Sequence, residues 1–503
     1  MLFSEIIQHV TGARVVNPGD AEIAGIAYDS REVKPGFLFV AMQGGTFDGH
    51  SFIDRAIGAG AVAILAEREL AGATVPYVVV PNGRIAMGEI AAPFFGYPSR
   101  GIKLIGVTGT SGKTTVTHLI QSIFNASGRP AGLIGTLGAR IGDELIETKH
   151  TTPESVDLQR TLAYMTGRGV EVVAMEASSH GLYQGRTLGC EFDCGVFTNI
   201  ARDHLDFHGT VEAYLDAKLI LFTEYPAMSA KRFIAAINAD DPSAEAVKAA
   251  TKGDVITFGI EKPADLTASN IEVTDRSVWF DMACRSVSVG ADVMSPPNTA
   301  KIRLQIGGFF NVYNALAAAA AAIGMGLDVE TVVEGLAAVR SVPGRFESVD
   351  CGQDFGVIVD YAHTPDELHN VLTTAKGLTK NRLIAVFGCG GDRDRGKRPI
   401  MGRIAAHLAD MVVVTSDNPR SEDPESIIEM VLEGIPESER DRVIVRPDRR
   451  EGIEAAIRMA VTGDVVVIAG KGHEDYQIFA DRTIHFDDRE VAREVLASAA
   501  DAC

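Results

Sequence analysis

The sequence predicts an α/β protein of three domains. The chain has 503 residues, and domains of about 150 residues give three as a starting estimate. A glycine-rich segment stands between an apolar strand and an amphipathic helix, and short apolar strands alternate with amphipathic helices towards the C-terminus. These patterns predict a small α/β N-terminal domain (1–99), a central P-loop ATPase domain with a mostly parallel sheet (100–339) and a C-terminal Rossmann-like doubly wound domain (340–503).

Composition and charge exclude several classes of protein. Hydrophobic residues make up 46% and charged residues 23% of the chain, which is ordinary for a globular protein. Its 47 basic and 67 acidic residues give a net charge of -20. Such an acidic chain is a poor general ligand for nucleic acid or anionic membranes, so we expect neither as a partner.

The termini and cysteines bear on location. No apolar run approaches the roughly 20 residues that span a bilayer. The first residues lack a basic stretch and include Glu5, which argues against a secretory signal. Six scattered cysteines are typical of reduced thiols. We therefore expect a cytoplasmic protein without membrane insertion, acting as a monomer on small molecules.

Strands and helices follow in order along the first two domains. The N-terminal domain has predicted strands over 36–41 and 61–65, and 97–100 is a predicted linker. The central domain starts with an apolar strand over 102–107, and apolar residues at a 3.6-residue period predict the helix after it. Its other predicted elements are strands over 172–175 and 195–198 and a buried, alanine-rich helix near 312–324 with a C-cap at Gly324.

The C-terminal domain has the clearest alternation. Strands are predicted over 355–359, 383–387, 411–415, 442–446 and 464–469. The helices between them are predicted near 365–375, 397–409, 425–435 and 449–461. Right-handed crossovers make such a unit doubly wound, with ligands at the carboxyl ends of the strands. A GxG at Gly388 and Gly390 hints at a dinucleotide site, but Arg393 occupies the third glycine position, so NAD is not expected.

The strongest motif runs from Gly106 to Thr115, between the strand and the helix. Backbone N–H groups at a helix N-terminus bind phosphate, and glycine permits close approach. Lys113 adds a positive charge for the β- and γ-phosphates, and the hydroxyl of Thr114 or Thr115 can bind Mg²⁺. Val107 replaces the first glycine of the strict Walker pattern. The motif predicts ATP binding, which alone leaves a motor, a switch, a kinase and a ligase open.

Ionisable side chains near this loop suggest a divalent-cation site. Glu176 follows a predicted strand directly, and its carboxylate can hold Mg²⁺ directly or through water. The segment 198–209 holds five ionisable side chains, among them His204, although a single histidine is more often structural. Lys218 lies among apolar residues, which lower the pKa of an amine, and a neutral amine can react with CO₂. From spacing alone, however, a surface lysine is the better reading of Lys218.

Taken together, these motifs resemble those of the Mur ligases of peptidoglycan synthesis, in family order and across nearly the whole chain. The matching segments are TGTSGKTT (108–115), EASSHGL (176–182), TNIARDHLDFHG (198–209), the Ala-Lys pair ending at Lys218, GFFNVYNALAA (308–318), PGRFE (343–347) and DYAHTPD (360–366). Within the family, DSREVKPGFLFVA (29–41) and SDNPRSEDP (416–424) resemble the enzymes that add the third amino acid of the peptide.

The resemblance implies an activity. A ligase of this type adds meso-diaminopimelate to UDP-N-acetylmuramoyl-L-alanyl-D-glutamate. ATP phosphorylates the glutamate γ-carboxylate, and the amine of the incoming amino acid displaces phosphate from this acyl phosphate. The implied co-substrate is ATP and the implied cofactor is Mg²⁺, at two sites. The three domains are implied to bind the UDP-sugar (1–99), ATP (100–339) and the amino acid (340–503).

The resemblance also implies roles for individual residues. The catalytic set is Lys113, Glu176, His204, Lys218 and Arg345. ATP is implied to contact Gly109, Thr110, Ser111, Gly112, Lys113, Thr114, Thr115, Asn311, Arg345, Asp360 and His363. The implied metal ligands are Thr115, Glu176, His204 and Lys218, the last as N6-carboxylysine, which reverses the reading from spacing alone. The sugar-peptide is implied to contact Tyr28, Ser30, Gly45, Thr46, Phe47, Thr151, Thr152, Ser178, Gln184 and Arg186.

A DNPR segment bears on which amino acid is added. In the resembling enzymes it marks users of meso-diaminopimelate, which differs from lysine by a second carboxylate. Arg420 can hold that carboxylate as a bidentate pair, and an arginine left unpaired would reject lysine. The implied site is Arg393, Asp417, Asn418, Pro419, Arg420, Gly470 and Glu474. The structural alternative for this segment is a type I turn, for which Asn-Pro is well suited.

Two alternatives remain at this stage. One is a lysine-adding or folylpolyglutamate-type ligase, which would prefer a different amino acid. The other is a P-loop regulatory protein that only senses nucleotide, which would turn over ATP without any sugar-peptide. A third domain with paired arginines favours a ligase.

Overall fold

The computed structural model describes residues 1–44, 48–285, 287–289, 292–294 and 298–500. It contains sheets of five, eleven and six strands and two separate hairpins. Helices cover both faces of each large sheet, with a buried apolar cluster on either side. The predicted α/β class with a mostly parallel central sheet and a doubly wound C-terminal sheet is therefore confirmed.

The first sheet has the strand order β1-β5-β4-β3-β2, parallel except for β1. Its strands are β1 (Arg14–Asn17), β2 (Gly25–Ala27), β3 (Phe37–Ala41), β4 (Ala61–Ala66) and β5 (Tyr77–Val79). The helices around it are α1 (Phe3–Ile7), α2 (Ile53–Gly58) and α3 (Gly83–Phe94), with 3-10 turns at Gly49–Phe52 and Pro98–Gly101. Both predicted strands are present, and the predicted linker at 97–100 contains a 3-10 turn.

The second sheet has the order β18-β15-β14-β13-β12-β11-β6-β10-β7-β8-β9. Its strands are β6 (Lys103–Thr108), β7 (Ala131–Gly135), β8 (Gly138–Ile141), β9 (Glu144–Ile146), β10 (Val172–Glu176), β11 (Cys194–Phe197), β12 (Ile234–Asn238), β13 (Asp254–Gly259), β14 (Leu266–Val273), β15 (Val278–Cys284) and β18 (Asn298–Leu304), and β16 (Val287–Val289) pairs with β17 (Asp292–Met294). The strands from β14 to β7 run parallel, and the outer strands on both sides are antiparallel.

Eight helices accompany this sheet in the described part of the chain. They are α4 (Lys113–Ala126), α5 (Ser155–Gly167), α6 (Ser179–Tyr183), α7 (Leu205–His208), α8 (Val211–Met228), α9 (Ala244–Ala250), α10 (Phe310–Gly324) and α11 (Val329–Ala338). Helix α10 is buried as predicted, but the predicted cap at Gly324 is wrong. Gly324 is the last helical residue, where a Cβ would lie 2.7 Å from Ile256 Cδ1, and the left-handed glycine is Gly326. Close packing, rather than chain reversal, accounts for Gly324.

The third sheet has the order β19-β20-β24-β21-β22-β23, parallel except for β19. Its strands are β19 (Glu347–Ser348), β20 (Gly356–Asp360), β21 (Leu383–Phe387), β22 (Met411–Val414), β23 (Val443–Val445) and β24 (Val465–Ala469), and β25 (Tyr476–Ile478) pairs with β26 (Thr483–His485). The helices are α12 (Pro365–Leu378), α13 (Lys397–Leu408), α14 (Pro424–Leu432), α15 (Arg449–Met459) and α16 (Asp488–Ala500), with a 3-10 turn at Glu437–Arg442.

Helices α12 to α14 cover one face of this sheet, and α15 and α16 cover the other. All the strands and helices predicted for this region are present. Among the described residues, no helix has the length and apolarity needed to cross a membrane.

A buried ion pair ties the second face of the third sheet to its carboxyl edge. Arg449 on α15 and Asp488 on α16 have fully buried side chains, and Arg449 Nη2 lies 2.7 Å from Asp488 Oδ2. The Arg449 guanidinium also donates to the carbonyls of Ser416 and Ala469, each at 3.1 Å. These carbonyls follow or end β22 and β24, so the pair holds the loops that leave the two strands.

We expect Arg449→Ala to lower the free energy of local opening in this domain by about 3–5 kcal/mol, because Asp488 would stay buried without its partner. Hydrogen exchange of the amides in β22 and β24 measures that opening. The adjacent Arg450→Ala is the matched control, since Arg450 pairs with Glu494 at the surface and exposed pairs contribute about 1 kcal/mol or less. Equal losses in both variants would contradict the prediction.

Candidate active site

The glycine-rich segment forms a tight loop between β6 and α4. Gly109 and Gly112 both have positive φ, at 151° and 87°. A Cβ on Gly109 would lie 1.9 Å from Thr198 Oγ1, and one on Gly112 would lie 2.5 Å from Asn314 Oδ1. Only glycine satisfies both the backbone geometry and the space, and the loop directs the N-terminus of α4 at a large cavity.

This cavity has a volume of about 540 Å³ and is lined by residues of the central and C-terminal sheets. The predicted residues in its wall are Thr110, Ser111, Gly112, Lys113, Thr114, Thr115, Thr151, Glu176, Ser178, His204, Lys218, Arg345, Asp360 and His363. The structure therefore brings together nearly all of the predicted ATP and metal residues. The strands that deliver them end at the same edge, because β6, β10 and β11 run parallel.

Lys113 lies across the loop that it follows. Its Nζ donates to the carbonyl oxygens of Gly109 at 2.9 Å and Thr110 at 2.7 Å. Burial lowers the pKa of Lys113, and the carboxylates of Glu176 and Asp203 oppose that shift. A polyanionic ligand in the cavity would stabilise the charged form of this amine in the same way.

Lys218 is the second buried amine of the site. It belongs to α8, is 1% exposed, and its Nζ donates to the same Gly109 carbonyl at 2.9 Å. Burial lowers the pKa of Lys218 well below its usual value, and the positive charge of Lys113 lowers it further. Because Lys218 is buried, its reading as an ordinary surface lysine is wrong. An unprotonated amine in this position is nucleophilic.

Glu176 is the last residue of β10, and both of its carboxylate oxygens accept hydrogen bonds. Oε1 accepts from the Thr136 backbone N–H at 2.9 Å, and Oε2 accepts from the Thr136 hydroxyl at 3.1 Å. The side chain is buried with 1% of its surface exposed. Its position in the cavity wall is fixed by Thr136, a residue that the sequence did not single out.

His204 has a left-handed backbone with φ of 52°. Its Nε2 lies 3.3 Å from Asp203 Oδ2. Burial lowers the pKa of His204, and the nearby lysines lower it further, while Asp203 opposes the shift. The neutral imidazole, which is the form that binds metals, is therefore favoured. His180 packs edge-on against this ring with centroids 4.7 Å apart.

The predicted metal ligands provide few of the side chains that a divalent cation needs. No group of three or more His, Cys, Asp or Glu in the described residues is close enough to hold a metal ion. The predicted set contains only Glu176 and His204 of these types, with Thr115 and Lys218 beside them in the cavity wall. A carbamate on Lys218 would supply the further carboxylate oxygens that Mg²⁺ prefers, so the residues fit magnesium only in that modified form.

The C-terminal domain closes one side of the cavity. Arg345 Nη2 donates to Thr114 Oγ1 at 3.2 Å, which joins this domain to the first turn of α4. Asp360 accepts from the backbone N–H groups of Phe346 and Ala362, yet burial raises its pKa to about 6. Glu367 raises the pKa of His363. The cavity therefore receives cationic groups from two domains.

Tyr361 forms the back of this wall. Arg345 Cζ lies 4.7 Å from the centre of its ring. The ring centroid of His473 lies 5.0 Å from that of Tyr361, and a Cβ on Gly472 would lie 2.8 Å from Tyr361 Cβ. One side chain thus contacts both the cavity and the loop that follows β24.

Asn311 does not reach the cavity wall. Its Nδ2 donates to the Gly307 carbonyl at 2.6 Å, and its Oδ1 accepts from Asn314 Nδ2 at 2.7 Å. Asn314 lines the cavity instead, against Gly112. Both asparagines lie on α10, one turn apart, so the resemblance identified the right segment but the structure exposes its second asparagine.

The predicted sugar-peptide residues lie beside the cavity. Thr152 Oγ1 donates to the Glu176 carbonyl at 2.8 Å and lies 2.9 Å from Ser178 Oγ. Arg186 donates to the Thr152 carbonyl at 3.1 Å and to Gln184 Oε1 at 2.8 Å. Thr151 and Ser178 line the cavity itself. These side chains form one connected group next to Glu176.

Residues of the N-terminal sheet meet this group. The Tyr28 hydroxyl donates to Asp157 Oδ2 at 2.5 Å, and Ser30 is buried. Arg84, which was not predicted, donates to Glu154 Oε1 at 2.7 Å and to Gln184 Oε1 at 3.1 Å. No local sequence pattern marks Arg84, because its partners come from another domain. The predicted residues Gly45, Thr46 and Phe47 lie outside the described residues.

The predicted amino-acid residues form a second group at the carboxyl ends of β22 and β24. Asn418 Nδ2 donates to Glu474 Oε2 at 2.8 Å. A Cβ on Gly470 would lie 2.7 Å from Asp417 Oδ2, so these two loops touch. The buried Lys471 and Gln477, neither of which was predicted, also donate to this pair of loops.

Arg420 follows Pro419 and has a left-handed backbone with φ of 53°. Its Nη1 donates to the Gly391 carbonyl at 2.8 Å, and its backbone N–H donates to Ile478 at 3.0 Å. Arg393 is exposed and donates to its neighbour's carbonyl. Both arginines flank Gly390, where a Cβ would lie 3.0 Å from Arg420 Nη1 and 3.8 Å from Arg393 Cγ. The segment is thus a constrained loop at the sheet edge rather than only a turn.

Comparison with known proteins agrees with this geometry. Three family models match, described as the Mur ligase family, catalytic domain (residues 22–95), the Mur ligase middle domain (residues 107–322) and the Mur ligase, glutamate ligase domain (residues 344–472).

Similar proteins cover the chain almost completely. A UDP-N-acetylmuramoyl-L-alanyl-D-glutamate–2,6-diaminopimelate ligase of Geobacillus thermodenitrificans is 47% identical over 98% of this chain and 99% of its own. One of Listeria innocua is 46% identical over 94% of each chain. A solved structure of a ligase with the same name is 35% identical, covers 95% of each chain and has a TM-score of 0.67.

We expect Gly109→Ala to weaken ATP binding at least about tenfold, because the new Cβ would displace the Thr198 hydroxyl and distort the loop. Calorimetric titration with ATP and Mg²⁺ measures the affinity. Gly167→Ala is the control, since a Cβ at that position, the last of α5, meets nothing within 4 Å. Unchanged affinity in the Gly109 variant would count against the loop as the phosphate site.

Proposed function

The chain belongs to the Mur ligase family, and we propose that it joins meso-diaminopimelate to UDP-N-acetylmuramoyl-L-alanyl-D-glutamate while ATP is converted to ADP and phosphate. The observation that carries this proposal is the single cavity in which Lys113, Glu176 and Lys218 of the central domain face Arg345 of the C-terminal domain. The relatives named above, which are similar along nearly the whole chain, support the choice of substrates.

Each domain has a proposed task. Residues 1–99 bind the UDP-sugar, 100–339 bind ATP, and 340–503 bind the amino acid. The hydrogen bonds of Tyr28 and Arg84 across to Asp157 and Glu154 support the first assignment, since they align the N-terminal domain with the sugar-peptide residues. We further propose a cytoplasmic monomer, in keeping with substrates made inside the cell.

The first chemical step is phosphoryl transfer. The γ-carboxylate of the glutamate attacks the γ-phosphorus of ATP, and ADP leaves. Both reactants are anions, so their approach requires positive charge in a site with little water. Lys113 and Arg345 supply cations at the loop and opposite it, while the N–H groups at the N-terminus of α4 bind phosphate oxygens. Magnesium held by Thr115, Glu176, His204 and modified Lys218 would offset further charge on those oxygens.

The second step forms the amide. The free amine of the amino acid attacks the carbonyl carbon of the acyl phosphate, and inorganic phosphate leaves. A bare carboxylate could not react in this way, because its oxygen is a poor leaving group. Water would hydrolyse the same intermediate. The contact between Arg345 and Thr114 supports a closed arrangement in which the C-terminal domain covers the loop and excludes water.

The amino-acid site is proposed at Arg393, Asp417, Asn418, Pro419, Arg420, Gly470 and Glu474. The distal centre of diaminopimelate carries an ammonium and a carboxylate. Arg420 offers a guanidinium for the carboxylate, and Glu474 offers a carboxylate for the ammonium. Lysine lacks the second carboxylate and would leave Arg420 without a partner.

Lys218 is proposed to carry a carbamate. Its unprotonated Nζ attacks the carbon of CO₂, a C–N bond forms, one C=O electron pair moves to oxygen, and the nitrogen loses a proton. The lowered pKa of Lys218 supports this step, because the reaction requires the neutral amine. The product places an anion beside the cationic Lys113, so the two side chains attract each other.

We expect purified protein with Mg²⁺, ATP and the UDP-sugar dipeptide to release ADP only when an amino acid is added, and to prefer meso-diaminopimelate over lysine. Mass spectrometry of the product identifies the new amide. A preference for lysine would replace the proposed substrate, and ADP release without the sugar-peptide would point to a nucleotide-sensing protein.

Arg420→Lys keeps the charge but loses the bidentate fork, so it should weaken use of diaminopimelate and leave any lysine use unchanged.

We expect Lys218→Ala to lower kcat by at least about a hundredfold, because a metal ligand and its second oxygen would both be lost. Adding a short carboxylate such as acetate or formate should restore part of the rate, since it can occupy the place of the carbamate. Lys252→Ala, on the loop after α9, is the matched control and should retain full activity. Full activity of the Lys218 variant without any additive would refute the modification.

A further inference from the structure

Lys471 is fully buried in the loop after β24, next to the proposed amino-acid site. Its Nζ lies 3.3 Å from Asn418 Oδ1, 3.0 Å from Glu474 Oε2 and 2.5 Å from the Tyr476 carbonyl oxygen. An ammonium has three N–H donors, so these acceptors use all of them. Lys471 therefore has no donor left for a ligand, and any contribution to binding must act through its neighbours.

Those neighbours belong to two parts of the chain. Asn418 lies in the loop after β22, Glu474 in the loop after β24, and Tyr476 begins β25. Asn418 Oδ1 accepts a further hydrogen bond from the Ile478 backbone N–H at 3.0 Å. Lys471 is thus the centre of a network that joins two loops and a hairpin at the edge of the third sheet.

In this network, the two carboxylate oxygens of Glu474 differ in their hydrogen bonding. Oε2 accepts from Lys471 and from Asn418 Nδ2, at 3.0 Å and 2.8 Å. Oε1 accepts no hydrogen bond from any described residue, and 14% of the side chain is exposed. The carboxylate is therefore fixed by one oxygen and presents the other.

The charged side chains around Lys471 favour a functional reason for the burial of its amine. A buried ion pair is commonly no more stabilising than apolar side chains of the same volume, so fold stability alone does not explain Lys471. Its ammonium pairs with Glu474, whereas Arg420, which reaches the same loops, has no carboxylate within ion-pair distance among the described residues. The site thus offers one free carboxylate oxygen and one unpaired guanidinium.

We propose that Lys471 is a positioning residue of the amino-acid site, holding Glu474 by Oε2 so that Oε1 receives the distal ammonium of the incoming amino acid. This inference rests on the proposed function. It assigns recognition of the zwitterionic distal centre to a pair of oppositely charged contacts whose geometry Lys471 sets. Without the Lys471 ammonium, the Glu474 carboxylate would be free to rotate, and Oε1 would no longer face the substrate.

The test measures KM for each substrate in the full-length enzyme carrying Lys471→Met. We expect KM for meso-diaminopimelate to rise about tenfold or more, the usual effect of losing a hydrogen bond to a charged group. KM for ATP and for the UDP-sugar dipeptide, and kcat at saturating diaminopimelate, should stay within about twofold. Lys380→Met, at an exposed lysine of the same domain, is the matched control and should leave all constants unchanged.

A double-mutant cycle separates positioning from a general structural role. Glu474→Gln should also raise KM for diaminopimelate, and adding Lys471→Met to it should cause little further rise, because both act on the same contact. If Lys471→Met does not fold, Lys471→Gln, which keeps two N–H donors, should give an intermediate KM. An unchanged KM for diaminopimelate, or equal rises for all three substrates, would overturn the role of Lys471. Wild-type enzyme that makes no diaminopimelate product would instead overturn the proposed function and this role with it.

Discussion

The Gly109 carbonyl oxygen accepts hydrogen bonds from the amines of two lysines that line the central cavity. Lys113 and Lys218 approach one oxygen, each at 2.9 Å, although two ammonium groups repel each other. Burial and mutual repulsion together favour loss of a proton from Lys218. The left-handed backbone of Gly109 aims the carbonyl at both amines, and the same conformation brings the loop against Thr198. The proposed phosphate loop and the proposed reactive lysine thus meet at one backbone carbonyl.

The C-terminal domain fixes its loops by a different means, with arginines that are fully buried. Arg449 ties the carbonyls after β22 and at the end of β24 to Asp488. Arg398 does the same for the loop after β21, since it pairs with Glu422 at 2.8 Å and donates to the Gly390 carbonyl at 3.1 Å. Glu422 also accepts from the Asp392 backbone N–H. Buried arginines of the domain therefore hold the loops that are proposed to bind the amino acid.

Local sequence patterns predicted much of this structure, but they did not predict contacts between residues that are distant in the sequence. Strand and helix periodicity is a local property, so the phosphate loop and the alternating C-terminal elements could be predicted from the sequence. Asn311 was implied by resemblance to contact ATP, but the rotation of α10 decides which asparagine lines the cavity, and that residue is Asn314. Arg84 could not be predicted, since folding brings both of its acceptors from distant segments. Lys471 was missed because only folding brings Asn418 to the two acceptors that follow Lys471 in the sequence. Gly324 was assigned to chain reversal, although contact with Ile256 explains it.

Tyr361 contacts both the wall of the central cavity and the loop after β24. Arg345 lies over its ring, and Gly472 and His473 lie next to it. Because the proposed nucleotide site and the proposed amino-acid loop share this neighbour, a movement of the ring on binding of one ligand would be transmitted to the site of the other. The two ligands would then be thermodynamically linked, and by reciprocity each would alter the affinity of the other by the same factor.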